Sequence, residues 1–344
     1  MAIKLYTKQY AGMLQDIFAS KSAFLRAFGG EIQTIQGAEA DSNFLNLKIS
    51  DTDVVIQAYN TGANVGFGEG TGSTNRFGPR KEVKSVDLQV PFDTPLAIHE
   101  GIDSYTVNDI PDQVVAERLA LHAVAWAEKY DAVMSAELST NASETLEAEL
   151  TEEGVTNLFA DARKKFVNNK VSNSVAWVAY VNADIYNFLI DSKLATTDKN
   201  SSANIDEQSI YKFKGFVLVE LPDDKFSFHY ALTTDEALVD GKEYFTRSGS
   251  AGAYVYTKVE EPDVGDISTY YEKVEEQAYF VADNVGVAGL GIPVARTMDS
   301  EDFAGVALQG AGKLGKYIPV KNKKAILKAT VTEPTPEAES TPEA

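Results

Sequence analysis

The sequence predicts an α+β fold, and three observations support this prediction. Two segments with the two-residue period of strands flank a glycine-rich stretch, and a helical stripe of about thirty residues follows them. Strands then alternate with shorter helices from about residue 150. The 344 residues can bury a large core, and this length favours two domains, or one domain with insertions.

The composition excludes several classes of function. The 51 acidic and 31 basic residues give a net charge of −20, which argues against sequence-specific DNA or RNA binding. The absence of cysteine excludes disulfides, thiolate nucleophiles and cysteine-ligated metals. No stretch approaches the roughly 20 apolar residues of a membrane span, and the first residues do not resemble a secretion signal. We therefore expect a soluble protein, made in the cytoplasm, with no membrane partner.

The first hundred residues predict an apolar arm followed by a long hairpin. Residues 1–30 carry a helical apolar face that Gly29 and Gly30 end. Strand alternation begins near Leu45 and returns at residues 86–92, and residues 54–56 form a further apolar run that is also predicted as strand. Between them lies GFGEGTGSTNRFG, residues 66–78, which we interpret as a flexible hairpin tip.

A long helix should begin near Pro111, because Asp109 can cap it and proline is tolerated in the first turn. Its length of about thirty residues would span about 45 Å. The apolar stripe of this helix consists of Val115, Leu119, His122, Trp126, Tyr130 and Val133.

The next segment should be α+β. ETLEAELTEE, residues 144–153, is interpreted as a solvated charged stretch, and a second helix follows. Residues 174–182 predict a buried strand whose Asn182 caps a short helix, and residues 215–221 predict another strand that Pro222 ends. The buried face of the second helix should contain Val155, Leu158, Phe159, Ala162 and Phe166.

From about residue 228 to 271, Tyr, Thr and Val alternate around the turn signals Asp240-Gly241, Ser248-Gly249 and Pro262-Asp263, which predicts a small all-β insert. Strands rich in glycine follow. Residues 313–328 are strongly basic, and we interpret them as a strip that faces an acidic surface on a neighbouring subunit. The last fifteen residues should be disordered.

No residues form a recognisable catalytic, cofactor or metal site. The glycine-rich stretch lacks the lysine of a phosphate-binding loop, and strands flank it where a dinucleotide fingerprint needs a helix. His99, His122 and His229 lack metal-ligand spacing, and His122 is interpreted as a packing residue. Paired carboxylates such as Glu152-Glu153 and Glu275-Glu276 identify nothing in so acidic a chain. We therefore expect neither an enzyme nor a cofactor.

Two stretches resemble a known family. MAIKLYTKQYAGMLQDIFASKSAF at the start and ADNVGVAGLGIPVARTMDSEDFAGVALQGAGKLGKYIP near the end are similar to major capsid proteins of tailed bacteriophages, with the Hong Kong 97 fold, from siphophages of Gram-positive hosts. The resemblance covers residues 1–227 and 275–329.

The resemblance implies a division of the chain into arm, loop and domains. The peripheral domain would hold the long spine helix, and the axial domain would lie at fivefold and sixfold axes with segments returning to the peripheral domain. The implied parts are the arm at 1–30, the extended loop at 45–98, the peripheral domain at 99–149, the axial domain at 150–227 and 275–310, the insert at 228–274, the basic segment at 311–329 and the acidic tail at 330–344.

The resemblance also implies partners and a place of action. Copies of the chain would form pentamers and hexamers of an icosahedral virion head, assembled in the host bacterial cytoplasm, that encloses double-stranded DNA without sequence-specific binding. A portal and a separate scaffolding protein would take part, since the arm begins the sequence without a scaffolding segment before it. The insert resembles a decoration module that projects from the shell. Two alternatives are an encapsulin-like compartment around protein cargo and a tail or decoration subunit.

Overall fold

The computed structural model describes residues 22–30, 33–34, 43–50, 54–62, 75–80, 82–93, 95–103, 111–191, 202–204, 209–235, 237–239, 241–250, 253–299, 302 and 304–332. The α-helices in the described residues are α1 (Pro111–Asn141), α2 (Glu152–Asn168) and α3 (Ala183–Asp191). The strands in the first half are β1 (Gln33–Thr34), β2 (Asn43–Ser50), β3 (Ser85–Pro91), β4 (Leu96–Asp103), β5 (Glu144–Glu149), β6 (Trp177–Asn182), β7 (Ser202–Asn204), β8 (Ser209–Phe213) and β9 (Phe216–Leu221).

The strands in the second half are β10 (Phe228–Leu232), β11 (Tyr244–Ser250), β12 (Ala253–Lys258), β13 (Tyr271–Glu275), β14 (Ala278–Ala282), β15 (Val287–Asp299), β16 (Gly305–Tyr317) and β17 (Ile326–Thr332). Single turns of 3₁₀ helix span Leu25–Phe28, Asp223–Lys225, Val264–Thr269 and Val320–Ala325. No described helix combines the length and apolar character that a membrane crossing needs.

The largest sheet is a mixed seven-stranded sheet in the order β5-β17-β14-β6-β9-β8-β7. All six residues of β6 and all five of β14 are buried, because these strands lie in the middle of the sheet. Helix α2 covers one face, where Phe159 packs edge-on against Phe213 and Phe280, with each pair of ring centroids 5.0 Å apart. The aromatic contacts fix the position of α2 on the sheet.

A second sheet has the order β1-β15-β16-β4, and α1 packs beside it. The 31 residues of α1 extend for about 46 Å. Trp126, which α1 contributes, lies so close to Gly312 of β16 that a Cβ at that glycine would be only 3.2 Å from the indole ring. One continuous set of buried side chains joins α1, α2 and the two sheets.

The third sheet contains β10, β13, β11 and β12 in that order, all antiparallel. It has a small cluster of its own, formed by Tyr244, Ile267 and Tyr270. The backbone enters and leaves this sheet at one point, since the Glu276 amide donates to the Ser227 carbonyl at 3.0 Å. The all-β character expected for this segment is therefore present.

Most of the expected elements form. Helix α1 starts at Pro111, and all five residues expected on the buried face of α2 are buried. Asn182 caps α3, because its side-chain oxygen accepts from the Ile185 amide at 3.1 Å. Of the expected arm, Phe24, Leu25 and Phe28 are buried in and beside a 3₁₀ turn that Gly29 ends with a φ of 102°.

Four expectations were wrong. Residues 144–149 form an edge strand in which Leu146 is buried and the glutamates are exposed. Because glutamate is uncommon in strands, the alternation of buried and exposed positions was not recognised. Residues 54–56 form no strand. Ser248-Gly249 is not a turn, since β11 runs to Ser250. Residues 330–332 complete β17, where Thr332 pairs with Glu149.

Several expectations lie wholly or partly outside the described residues. These are residues 1–21 of the arm, residues 63–74 of the hairpin tip, the Asp109 cap, Asp240 and residues 333–344 of the tail.

Candidate functional site

The antiparallel strands β2 and β3, together with the described residues of the loop that connects them, form a ribbon, and this connecting loop carries a set of exposed apolar side chains. Val54 is 95% exposed and Ile56 is 97% exposed, and Phe77 is 73% exposed. The only ring contact among the described residues of this loop joins Tyr59 and Phe77, with centroids 5.2 Å apart. Because a two-stranded ribbon has no core of its own, these side chains need cover from another molecule.

The base of the ribbon, in contrast, is anchored firmly. Phe44 on β2 is buried, and its ring fills the space above Gly289 of β15 and Gly315 of β16. A Cβ at either glycine would collide with that ring. Phe92 lies beside it, with the ring centroids 5.7 Å apart. Glycine is required at both positions because the phenyl ring rests directly on the backbone.

Tyr130 of α1 approaches the same two glycines. Its hydroxyl donates to the Gly289 carbonyl and lies 3.4 Å from the Gly315 carbonyl. Burial raises the pKa of Tyr130, so the phenol stays protonated and remains a donor. Lys316 adds a second connection, with Nζ 3.2 Å from Asp93 and 3.8 Å from Glu137. Helix α1, the sheet that contains β15 and β16, and the ribbon are thereby held together.

A buried aspartate on α1 binds the first described residues of the chain. Asp131 is fully buried, and it accepts hydrogen bonds from the Ser22 hydroxyl at 2.7 Å and from the Ala23 amide at 3.1 Å. Lys225 lies 3.2 Å away and supplies the compensating charge. Because a buried carboxylate needs such partners, Asp131 fixes where the chain joins the body.

A second buried carboxylate, Glu276, lies between the third sheet and the body. One of its oxygens accepts from Ser139 at 2.7 Å and from Lys328 at 2.8 Å, and the other accepts from Tyr279 at 2.6 Å. His229 of β10 lies 3.1 Å from the first oxygen. Burial raises the pKa of Glu276, but these hydrogen bonds outweigh burial and lower it to about 2.

The three histidines are far apart, and each has a structural partner. His122 lies 2.9 Å from Glu100, which also binds Arg118 at 2.6 Å, so the expected packing role of His122 agrees with its position. Hydrogen bonds from Arg118 and then His122 lower the pKa of Glu100 to about 2. His99 contacts Gln309 at 3.3 Å. No group of His, Asp and Glu in the described part of the chain could hold a metal.

Sequence reasoning missed both buried carboxylates. Glu276 was grouped with Glu275 as uninformative, and Asp131 was not selected, because their partners are distant in sequence. Within the basic segment, Lys316 pairs with Asp93 and Lys328 pairs with Glu276, so both of these charges have partners inside the subunit. The role of the remaining lysines is still a prediction.

Comparison with family models and with curated proteins finds no match. Solved structures do match over almost the whole chain. A chain in the capsid structure of cyanophage P-SCSP1u aligns with a TM-score of 0.55 and 11% identity, covering 91% of this chain and 89% of that one. A chain of the mature capsid of bacteriophage PhiM1 aligns with a TM-score of 0.57 and 14% identity, and the alignment covers 91% of this chain and 87% of that one.

A chain of Mycobacterium phage Che8 gives a TM-score of 0.52 at 14% identity and covers 90% of this chain and 91% of that one. At this level of identity the similarity establishes architecture. With its anchored ribbon, long helix and mixed sheet, the chain has the Hong Kong 97-type capsid fold.

Proposed function

We propose that this chain is the structural subunit of an icosahedral bacteriophage head, which self-assembles around double-stranded DNA and performs no catalysis. The observation that supports this most directly is the exposed apolar ribbon on a body that has the capsid fold. A monomer would leave this surface in water, whereas neighbouring copies in a closed shell would cover it. The hydrophobic effect then drives assembly.

The shell gains its stability from many contacts that are individually weak. Interfaces of ordinary size add together when every subunit is held by several neighbours, so a closed shell rarely loses a member. Pentamers and hexamers of this chain would form such a shell, and a portal and a scaffolding protein remain partners that the resemblance implies. We place the finished protein in the virion and its assembly in the cytoplasm of a Gram-positive host.

The test is to express the chain and examine it by electron microscopy and sedimentation velocity. We expect closed particles, and replacing Val54 and Ile56 with serine should reduce particle yield about tenfold or more, because both side chains lose apolar contact area. Val239→Ser is the matched control, because this valine is also exposed but lies outside the ribbon. A chain that stays monomeric at high concentration would end the proposal.

The particle contents separate this proposal from its rivals. A net charge of −20 repels the phosphates of DNA, so packaged DNA would stay mobile inside the shell. For the same reason, we expect free subunits not to retard DNA in a gel-shift assay at physiological salt. Particles that hold a protein cargo would indicate a nanocompartment, and helical tubes would indicate a tail subunit.

A further inference from the structure

The 3₁₀ turn Val320–Ala325 forms a small projection that we call the knob, defined as Val320, Lys321, Lys323 and Lys324. Val320 is 75% exposed, and Lys321 and Lys324 of the same turn are also exposed. The turn is held firmly, since Asn322 donates to the Val285 carbonyl at 2.8 Å and Asn169 donates to the Lys324 carbonyl at 2.9 Å. The turn therefore presents an exposed valine and exposed lysines from a backbone that is held in place.

A groove of about 730 Å³ lies where the seven-stranded sheet meets the third sheet. Its apolar lining includes Leu232, Val274 and Val331. Both β5 and β10, the strands beside it, are edge strands of their sheets in the described part of the chain. Apolar surface and unpaired strand edges together suit a protein partner.

The groove is acidic. Four glutamates and two lysines line it. Lys242 pairs with Glu272, and Lys273 lies 3.4 Å from Glu275. Glu147 and Glu149 have no lysine or arginine partner among the described residues, so the β5 side of the groove keeps a negative charge. The charge of the groove is opposite to that of the knob.

The knob and the groove lie at opposite ends of β17. The knob directly precedes Ile326, whereas Thr330, Val331 and Thr332 line the groove. Four strand residues, 326–329, lie between them, and the six residue steps from Lys324 to Thr330 span about 20 Å. A knob cannot reach the groove of its own subunit, so any such contact joins two copies head to tail.

The chain's own C-terminal segment is a weaker occupant. Residues 333–344 follow Thr332 at the groove, but they contain four glutamates, three prolines and no basic residue. Their charge has the same sign as Glu147 and Glu149, and proline cannot donate to a strand edge.

We propose that the knob of one copy inserts into the groove of the next copy, with Val320 against the apolar lining and Lys323 and Lys324 beside Glu147 and Glu149. Such a heterologous contact generates a closed ring when its rotation closes, as a pentamer or hexamer requires. The inference rests on the proposed function and identifies the surfaces that would join neighbours within a ring.

Covalent trapping tests the contact directly, because the chain has no cysteine of its own. A chain with V320C and L232C should give a ladder of disulfide-linked multimers on mild oxidation. A matched control chain combines V320C with Y211C, an exposed position outside the groove, and should give no ladder. Failure of V320C and L232C to cross-link in assembled particles would overturn the proposal, as would cross-linking that appears only when residues 333–344 are removed.

Charge exchange gives a second readout. K323E/K324E and E147K/E149K should each lower particle yield about tenfold, and the quadruple variant should recover to within about twofold of the unmodified chain. K129E/K212E, at two exposed lysines elsewhere, controls for the change in net charge. If the quadruple variant loses as much particle yield as the two double variants combined, that result would contradict the contact. Cross-linked ladders without particles would support the contact and refute the shell, whereas particles without ladders would do the reverse.

Discussion

Glu276 is the residue whose replacement should cost the most stability. Glu276→Gln removes the charge that neutralises Lys328, a side chain only 13% exposed, so the loss should be about 3 kcal/mol of unfolding free energy. The measurement is urea unfolding at pH 7. Glu275→Gln is the matched control, because that neighbour is exposed and should change stability by about 0.5 kcal/mol or less. Equal losses for the two variants would refute the role given to Glu276.

The same residue predicts a pH dependence. The pKa of Glu276 is lowered from 4.5 to about 2 in the folded chain. Its contribution is therefore complete above about pH 5 and disappears as pH falls toward 2. The stability difference between the unmodified chain and Glu276→Gln should shrink across that window, as unfolding curves at several pH values would reveal. A difference that stays constant from pH 7 to 3 would contradict this assignment.

At the scale of elements, the contact between Phe44 of the ribbon and the backbone of β15 should tolerate no side chain at Gly289. Gly289→Ala forces its new methyl group against Phe44, and overpacking of this kind costs about 1–3 kcal/mol. Thermal unfolding measures the loss. The matched variant Phe44→Ala removes the ring, and the double variant should be less destabilised than the sum of the two single changes. Strict additivity would show that the ring does not rest on the glycine.

The tip of the ribbon should matter for assembly and not for folding. Of the residues to be deleted, 64–78, the described ones, 75–78, lie outside the continuous core, so we expect circular dichroism and melting temperature to remain close to those of the full chain. The deleted chain should nevertheless form no closed shell. Normal particles from it would contradict the part assigned to the loop.

Elements with strong local patterns could be predicted from the sequence, and contacts between distant residues could not. The stripe of α1, the apolar face of α2 and the continuous apolar run of β6 each carry their own period. Strand β5 was missed because its glutamates resemble a solvated loop, although Leu146 points inward. The packing of Phe44 on Gly289 and the hydrogen bonds around Glu276 each join residues that are far apart in sequence, so only the fold reveals them.

At the scale of the whole molecule, the third sheet should be removable without unfolding the body. None of its residues belongs to the continuous core, and Ser227 and Glu276 already lie side by side. Replacement of residues 228–274 by two glycines should leave a cooperative thermal transition. Particle yield should fall, because the deletion removes Leu232 and Val274 from the groove. An unfolded body would show that the sheet is an integral part of the core.

The position of β17 has a consequence for the newly made protein. This late strand lies between β5 and β14, so the largest sheet cannot close before residue 332 leaves the ribosome. At about 5 to 20 residues per second, synthesis from Glu149 to Thr332 takes about 10 to 40 s, and β5 has an open edge for that time. Chains that terminate before β17 lack this strand, so the complete seven-stranded sheet is available only to a chain that has been synthesised as far as Thr332.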